Sequence, residues 1–190
     1  MRKLSVFLLT VIGFMVAMTV WFLPNIYGQY RFSQFCGKDS GFHEYGEIEK
    51  NSPWLTTDQA DAKSVVSTHA MVPFARYLDR DGQYFDVRYK GGNPWWDSSY
   101  EVISADLKIV VPYIFEYKAS FIEKELRLRK DVYSLRDRKT NQVIFQHTGF
   151  AYTLFESKHT LLGQSDIQTC PAFESQTANI NAFLLSGNKT

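Results

Sequence analysis

The chain has 190 residues, enough for one compact domain and a short appendage. Hydrophobic residues make up 45% and charged residues 22%, which excludes a largely disordered chain. Without Arg2 and Lys3, 19 of the 21 basic residues remain against 20 acidic ones, so the rest of the chain is nearly neutral. This balance excludes a nucleic-acid-binding protein that depends on a basic surface. The aromatic share of 16% favours β structure.

The N-terminal segment is predicted to be a transmembrane helix over residues 4–23. This run of 20 residues, LSVFLLTVIGFMVAMTVWFL, contains no charge, and as a helix it measures about 30 Å, the thickness of the hydrocarbon layer. Pro24 is expected to end the helix. Arg2 and Lys3 place positive charge before the run, so residues 1–3 are expected to form a cytoplasmic stub and everything after the helix to be exported.

A cleaved signal peptide is the main alternative for this segment. Signal peptides share the charged start but have a shorter apolar core and small residues before the cleavage site, and Ala17-Met18-Thr19 matches that pattern poorly. Both interpretations export the body. A buried core helix of a soluble protein is a third interpretation, but such helices rarely reach this length without a polar face.

Gly13 and Ala17 form a pair of small residues four positions apart within the apolar run. Pairs of this kind let two membrane helices approach closely, so these residues are a candidate helix–helix contact. The same spacing also arises by chance in apolar segments, and it then has no role in association.

Cys36 and Cys170 are the only cysteines, and both follow the apolar run. Exported proteins commonly cross-link such a pair in an oxidising compartment, so we expect one disulfide that ties the start of the body to its end. Two unrelated buried thiols are the alternative. A zinc site is disfavoured because two cysteines without a nearby histidine fall short of the usual four ligands.

The first part of the body is predicted to contain a turn, a strand and a short helix. Residues 37–41 (GKDSG) carry turn residues, and residues 42–50 alternate loosely enough for a strand. Thr56 with Gln59 three residues later resembles a capping box, which predicts a helix over about 57–66.

From about residue 70 onward the pattern indicates β structure. Residues 82–89 alternate, 91–94 (GGNP) break the pattern, and further runs rich in strand-forming residues cover 100–103 and 107–117. Pro112 within the last run suggests a sheet edge or a bulge.

The remaining elements are an ambiguous segment, a hairpin and a helix. Residues 121–130 fit a helix and a strand equally well. Residues 131–155 contain two strand-like runs around a polar turn, which predicts a β-hairpin. Residues 175–185 are expected to form a closing helix.

Together these elements predict an α+β fold: an N-terminal transmembrane helix followed by a small, mostly antiparallel β domain with one or two short helices. The expected organisation is a juxtamembrane connection over residues 24–35, the folded domain over 36–186 and a tail over 187–190.

Two parts of the sequence resemble small exported proteins of Gram-negative bacteria. FCGKDSGFHEYGEI (35–48) is similar to their Cys-x-Lys-Asp-Gly-Gly…Tyr-Glu opening. VYSLRDRKTNQVIFQHTGFAY (132–152) and IQTCP (167–171) are similar to their closing section, which has a strand, a polar turn, a second strand and a Ser-Cys-Pro-like element. The matching parts cover about a third of the chain.

The resemblance implies that Cys36 and Cys170 are the two framework cysteines of that family. The sequence departs from the family pattern at Ser40, where the family has glycine, and at Thr169 before the second cysteine. No activity is known for the family, so the resemblance concerns location and the disulfide only.

The four histidines, His43, His69, His147 and His159, show no catalytic or metal-binding spacing. His43 with Glu44 and Glu47 is the nearest approach to a metal site, but a third strong ligand is missing and a solvated polar turn is the simpler interpretation. We therefore expect no metal and no cofactor.

Trp95 and Trp96 in GGNPWWD (91–97) are the residues that most suggest binding. Adjacent tryptophans after a turn are able to present an aromatic surface to a ligand or a partner. The alternative is that one ring packs into the core and the other covers a strand edge, because tryptophan is usually buried for its area.

These observations predict a protein of the bacterial inner membrane, with a cytoplasmic N-terminus and a periplasmic body that acts as a non-enzymatic interaction or accessory module. A hydrolase-type enzyme with an unrecognised site and a structural subunit of an envelope assembly are the alternatives. An enzyme requires a cleft in which a histidine or carboxylate meets a nucleophile and has a shifted pKa. A structural subunit would show an exposed sheet edge or a large apolar patch.

Overall fold

The computed structural model describes residues 2–154 and 166–186, and the elements below are those of these residues. The fold is α+β, as the sequence predicts. Its helices and strands, in chain order, are α1 Arg2–Asp39, β1 Gly41–Glu44, β2 Trp54–Leu55, α2 Gln59–Thr68, β3 Ala75–Leu78, β4 Tyr84–Tyr89, β5 Tyr100–Ser104, β6 Tyr113–Glu123, β7 Leu128–Asp137, β8 Val143–Thr153, β9 Ile167–Cys170 and α3 Phe173–Ser186.

The strands form one mixed, mostly antiparallel sheet in the order β1-β8-β7-β6-β2-β3-β4-β5, and β9 also pairs with β8. Three long strands, β6, β7 and β8, form an antiparallel meander in the first half of this order. The two-residue strand β2 joins this meander to the second half of the sheet, and it is parallel to both of its neighbours. Short turns join three of the antiparallel pairs, β3–β4, β6–β7 and β7–β8. The parallel pairs need longer connections, and α2 provides one of them.

Helices cover both faces of the sheet. The C-terminal part of α1 packs against one face, where Phe32 stacks on Tyr152 and Phe35 stacks on Phe150. The main core, centred on Trp54, lies on the other face with α2 and α3. Successive residues of a strand point to opposite faces. The alternation of side chains along β8 therefore separates the aromatic contacts with α1 from the main core around Trp54.

Helix α1 continues through Pro24 and ends at Asp39, so the prediction that Pro24 ends the helix is wrong. A proline inside a helix costs roughly 3 kcal/mol because it removes a hydrogen bond and crowds the preceding turn. The packing of Phe32 and Phe35 on the sheet offsets this cost. Residues 24–35, expected as a juxtamembrane connection, belong to this helix.

Several boundaries in the first half of the body also differ from the predictions. Residues 37–39 are the last turn of α1, and the first strand is confined to Gly41–Glu44. The helix predicted over 57–66 exists as α2, but its N-cap is Asp58, whose side chain accepts a hydrogen bond from the Asp61 amide, and not Thr56.

The second half of the body follows the predictions more closely. The hairpin is confirmed as β7 and β8, the closing helix as α3, and the ambiguous segment 121–130 contains the end of β6, a turn and the start of β7. The strand predicted over 107–117 begins only at Tyr113, because the preceding residues are held in a loop whose carbonyls at Asp106 and Ile109 accept hydrogen bonds from Arg76.

Candidate functional site

A groove of about 340 Å³ opens between α2, α3 and the strands β6 and β7. This volume falls at the lower end of small-molecule binding sites. Its lining combines aromatic and aliphatic side chains with hydroxyl, amide and imidazole groups: Ala60, Asp61, Ser64, Val65, Thr68, His69, Phe115, Tyr117, Tyr133, Phe173, Gln176, Thr177 and Ile180. We call this site the α2–α3 groove.

The floor of the α2–α3 groove is aromatic. Tyr117 and Tyr133 lie directly opposite each other on β6 and β7, and their rings stack with centroids 4.8 Å apart. Phe115, two residues before Tyr117 on the same face, stacks on the buried Trp54 at 5.6 Å. The floor thus offers flat apolar rings whose positions are fixed by the sheet and the core.

The hydroxyl of Tyr117 is held in place by a buried carboxylate. It donates a hydrogen bond of 3.0 Å to Asp131 Oδ1. Asp131 in turn forms an ion pair with Arg129, at 2.9 Å. Burial, with the Asp131 charge as the next cause, raises the pKa of Tyr117 to about 12. Tyr117 is therefore a neutral hydrogen-bonding group at physiological pH.

One wall of the groove is a face of α2. Asp61, Ser64, Val65 and Thr68 recur at the spacing of one helix face, so the same side of α2 carries all four towards the groove. Burial, followed by the nearby Asp58, raises the pKa of Asp61. Among the described lining residues Asp61 is the sole carboxylate, and none of them is a lysine or arginine.

His69 closes one end of the groove by joining α2 to α3. Its Nδ1 lies 2.9 Å from Asn181 Oδ1, and the Asn181 amide donates a hydrogen bond to the Thr68 carbonyl. Burial lowers the pKa of His69, so its ring is neutral. The ring also packs against Trp54, with centroids 5.7 Å apart. These contacts indicate that His69 has a structural role.

The disulfide Cys36–Cys170 is present, as predicted, and it positions the second wall of the groove. It links the end of α1 to β9, with the two Cα atoms 5.7 Å apart. Helix α3 begins three residues after Cys170, and Gln176 of this helix donates a hydrogen bond of 2.7 Å to the Pro171 carbonyl. The cross-link therefore fixes the point from which α3 starts across the sheet.

Trp95 and Trp96 lie on the surface, 90% and 64% exposed. Neither ring packs into the core, which was the alternative interpretation of this pair. We call residues 90–99 the tryptophan loop.

Hydrogen bonds fix the backbone of the tryptophan loop. The side chain of Asn93 accepts a hydrogen bond from the Trp95 amide, and its carbonyl accepts one from the Trp96 amide. The hydroxyls of Ser99 and Tyr100 bind the carbonyls of Asn93 and Pro94. The loop therefore presents two large rings in a defined arrangement.

The remaining residues singled out from the sequence do not meet at a site. His43 is exposed on β1, His147 is fully buried on β8, and His159 lies outside the described residues. Within residues 2–154 and 166–186, no group of three or more potential metal ligands is found. A methyl group added at Gly13 would meet nothing within 4 Å, so the Gly13 and Ala17 face of α1 is open.

Sequence reasoning did not identify the α2–α3 groove. Its residues come from four segments that are distant in the chain, and the stacked tyrosines of β6 and β7 are apparent only when the strand register is known. The spacing of Asp61, Ser64 and Thr68 on one face of α2 was a signal in the sequence, but it does not differ from that of an ordinary solvated helix face.

No known protein family matches the chain, and no curated protein or solved structure is significantly similar to it. The resemblance to exported proteins of Gram-negative bacteria stays an expectation from the residues quoted above.

Proposed function

We propose that this chain is a membrane-anchored, non-enzymatic binding module whose body lies on the periplasmic side of the inner membrane and holds a ligand in the α2–α3 groove. The observation that carries the proposal is the groove itself, an apolar concavity with a few fixed polar groups. Sites with this combination are the usual places of ligand binding in proteins.

The N-terminal helix supports the membrane anchor, and the disulfide supports the location of the body. Helix α1 is long and apolar enough to cross a membrane, and only 6% of its most apolar stretch is buried, so it is not the core helix of a soluble protein. The length of the apolar run and the poor match to a cleavage site favour an anchor over a signal peptide. The disulfide supports an oxidising compartment for the body.

The lining of the groove favours a neutral or cationic ligand with a flat apolar part. Tyr117, Tyr133 and Phe115 offer aromatic surfaces for stacking. Asp61 supplies the one negative charge among the described lining residues, and no cation opposes it there. An anionic ligand would be repelled by Asp61 and would find no ion-pair partner.

The arrangement of the histidines supports binding over catalysis. A hydrolase of the serine type requires a histidine bonded to a nucleophilic hydroxyl. In the described part of the chain no serine or threonine hydroxyl forms a hydrogen bond with a histidine ring, and the histidine of the groove is bonded to Asn181 instead. Within the described residues the groove therefore offers surfaces that hold a molecule and no hydroxyl bonded to its histidine.

Binding in the groove is tested with a set of neutral, cationic and anionic aromatic fragments, measured by saturation-transfer NMR on the full chain in nanodiscs. Thr177→Trp fills the groove, while Asn179→Trp adds the same ring on an exposed position of α3 and serves as the control. We expect neutral or cationic fragments to bind the wild type and Asn179→Trp and to lose binding with Thr177→Trp. Fragments that bind all three proteins equally would overturn the proposal.

The exposure of Trp95 and Trp96 favours a second contact, with a protein partner of the envelope. Exposed tryptophans on a fixed loop are typical anchors of protein interfaces. The loop adjoins the edge strand β5, whose residues after Tyr100 are exposed and offer backbone groups to a partner. Capture of the tagged chain from crosslinked membranes should yield a partner that is lost in W95A/W96A. An identical set of captured proteins for both chains would exclude this surface.

A further inference from the structure

The α2–α3 groove is closed at one end and open at the other. The closed end is the contact between its two walls, where His69 Nδ1 lies 2.9 Å from Asn181 Oδ1. The lining residues of α2 all precede His69 in the chain, and those of α3 all precede Asn181. Asp61 and Phe173 each lie eight residues before this contact, or about 12 Å along the helix axis, so they mark the open end.

The two ends differ in polarity. At the closed end, the rings of His69 and Phe115 both pack on Trp54, and His69 is already bonded to α3. At the open end, a carboxylate adjoins an aromatic ring. Burial is the largest cause that raises the pKa of Tyr133, and the charge of Asp61 also contributes to it, which places the two groups near each other.

Asp61 has no cation of its own in the described part of the chain, because none of the ion pairs there includes it. Burial, followed by the charge of Asp58, raises the pKa of Asp61, while a hydrogen bond from Thr57 acts in the opposite direction. The carboxylate is therefore partly removed from water and gains no ion pair in return. Ionisable groups shifted in this way concentrate at functional sites.

Two cations near the groove are already paired with other carboxylates. Lys63 of α2 forms an ion pair of 2.6 Å with Asp97, which lies outside the groove. Arg129, on the same strand as Tyr133, forms an ion pair of 2.9 Å with Asp131. A cationic ligand at the open end therefore meets no free cation from either side chain.

We propose that the α2–α3 groove selects a small organic ammonium compound, with the charged group between Asp61 and the ring of Tyr133 and the apolar part directed towards Phe115. The inference rests on the proposed function, because it names the ligand class of the same groove. A cation is attracted by the negative face of an aromatic ring, and more strongly where water is excluded. Asp61 then sets the specificity, since a neutral compound leaves its carboxylate unpaired.

The shape of the groove favours a free small molecule over the side chain of a partner protein. Its volume is about 340 Å³, which falls at the lower end of small-molecule sites. The contact between His69 and Asn181 closes it about 12 Å from Asp61, so a ligand of limited length is enclosed on one side.

The test compares three compounds that share a phenyl ring and differ in the terminal group: phenethylamine is cationic at neutral pH, phenethyl alcohol is neutral and phenylacetate is anionic. Dissociation constants are measured by NMR titration of the full chain in nanodiscs, with empty nanodiscs as the blank. Asp61→Asn removes the charge of the groove with little change in shape. Glu174→Gln makes the same change of charge at an exposed position of α3 outside the lining and is the matched control.

We expect the wild type and Glu174→Gln to bind phenethylamine about tenfold more tightly than phenethyl alcohol, and phenylacetate most weakly. Asp61→Asn should lose most of this preference. It should keep the affinity for phenethyl alcohol, which also shows that the variant is folded. Thr177→Trp, which fills the groove, should lose the binding of both compounds.

Equal affinity of the wild type for phenethylamine and phenethyl alcohol, with both lost in Thr177→Trp, would overturn the ammonium site and leave binding in the groove standing. A preference that survives Asp61→Asn, or that falls equally in Glu174→Gln, would overturn it too, because the charge of the groove would then not be its source. Tighter binding of a lysine-containing peptide than of phenethylamine would overturn the small-molecule ligand. Binding of none of the compounds, or binding that Thr177→Trp leaves intact, would contradict the proposed function itself.

Discussion

Gly28 of α1 lies directly against the buried ring of Tyr152 on β8: a Cβ atom at position 28 would stand 2.7 Å from the Tyr152 ring and hydroxyl. The Tyr152 hydroxyl donates a hydrogen bond of 3.0 Å to the Asn25 carbonyl one turn earlier in the helix. This close approach lets α1 rest on the sheet immediately after its apolar run. The body is thereby attached to the helix without a flexible linker.

Gly28→Ala should destabilise the body by about 1–3 kcal/mol, because the added methyl group overpacks a site whose tyrosine is fully buried. The matched control is Gly37→Ala in the same helix, where a Cβ would meet nothing within 4 Å. The control should cause no loss of stability, since alanine is the better helix former. Urea unfolding of the full chain in detergent measures both, and equal stability of the two variants would contradict the Gly28 contact.

Replacement of both cysteines, as C36S/C170S, should lower the free energy of unfolding. The disulfide closes a loop with a sequence separation of 134, for which the chain-entropy relation gives about 5 kcal/mol. Because α3 begins just after Cys170, its amides should lose protection first. Hydrogen exchange that leaves α3 as protected as in the wild type would show that the cross-link does not position this wall of the groove.

Acid should weaken the fold through His147, which is fully buried and has no hydrogen-bond partner on either ring nitrogen among the described residues. Burial, and to a lesser extent the neighbouring His43, lowers the pKa of His147 from its ordinary value of 6.5. The unfolded chain then binds the proton more readily than the folded one. The stability that depends on neutral His147 is therefore fully present above pH 6.5, and it is lost as the pH falls from there towards the pKa of the folded state.

His147→Phe should flatten this acid dependence, because a phenyl ring fits between the rings of Phe42 and Tyr133 and carries no proton. His43→Gln is the control, and it should retain most of the dependence because burial is the larger cause of the shift. Unfolding measured as a function of pH decides between them. A slope that is unchanged in His147→Phe would assign the acid sensitivity to another group, such as His69.

Iodide should quench mainly the fluorescence of the two tryptophans in the tryptophan loop. Trp95 and Trp96 are exposed, whereas Trp54 is buried in the main core. The double variant W95F/W96F should lose most of the quenchable emission of the wild type and keep the blue-shifted emission of Trp54. Emission from Trp95 and Trp96 that is blue-shifted and inaccessible to iodide would remove the basis of the proposed partner surface.

The long elements of the fold were predictable from the sequence because each carries its own signal. The charge-free run predicts a helix, the polar turn between β7 and β8 predicts a hairpin, and the paired cysteines predict a cross-link. Pro24 was misjudged because its local cost is offset by Phe32 and Phe35, which pack on strand β8, more than 100 residues away along the chain. A local sequence pattern does not show when tertiary packing outweighs the local cost of a proline in a helix.

The candidate site was predictable only in part. The adjacent Trp95 and Trp96 are a local feature that the sequence singled out, but burial of one ring was an equally open interpretation, and only the structure shows that both are exposed. The α2–α3 groove depends on the register that places Tyr117 opposite Tyr133 and on the direction in which α3 crosses the sheet. Neither is specified by a short stretch of sequence, because strand register is set by the whole set of paired residues.

Export with a retained helix is the premise of the proposed function, and one measurement tests it directly. The chain is extracted from membranes, alkylated without reduction and weighed intact by mass spectrometry. We predict a mass that includes the apolar run of residues 4–23, with Cys36 and Cys170 joined and no alkyl group attached. A chain that lacks this run, or one that carries an alkyl group on both cysteines, would contradict a body held outside the cytoplasm by its own N-terminal helix.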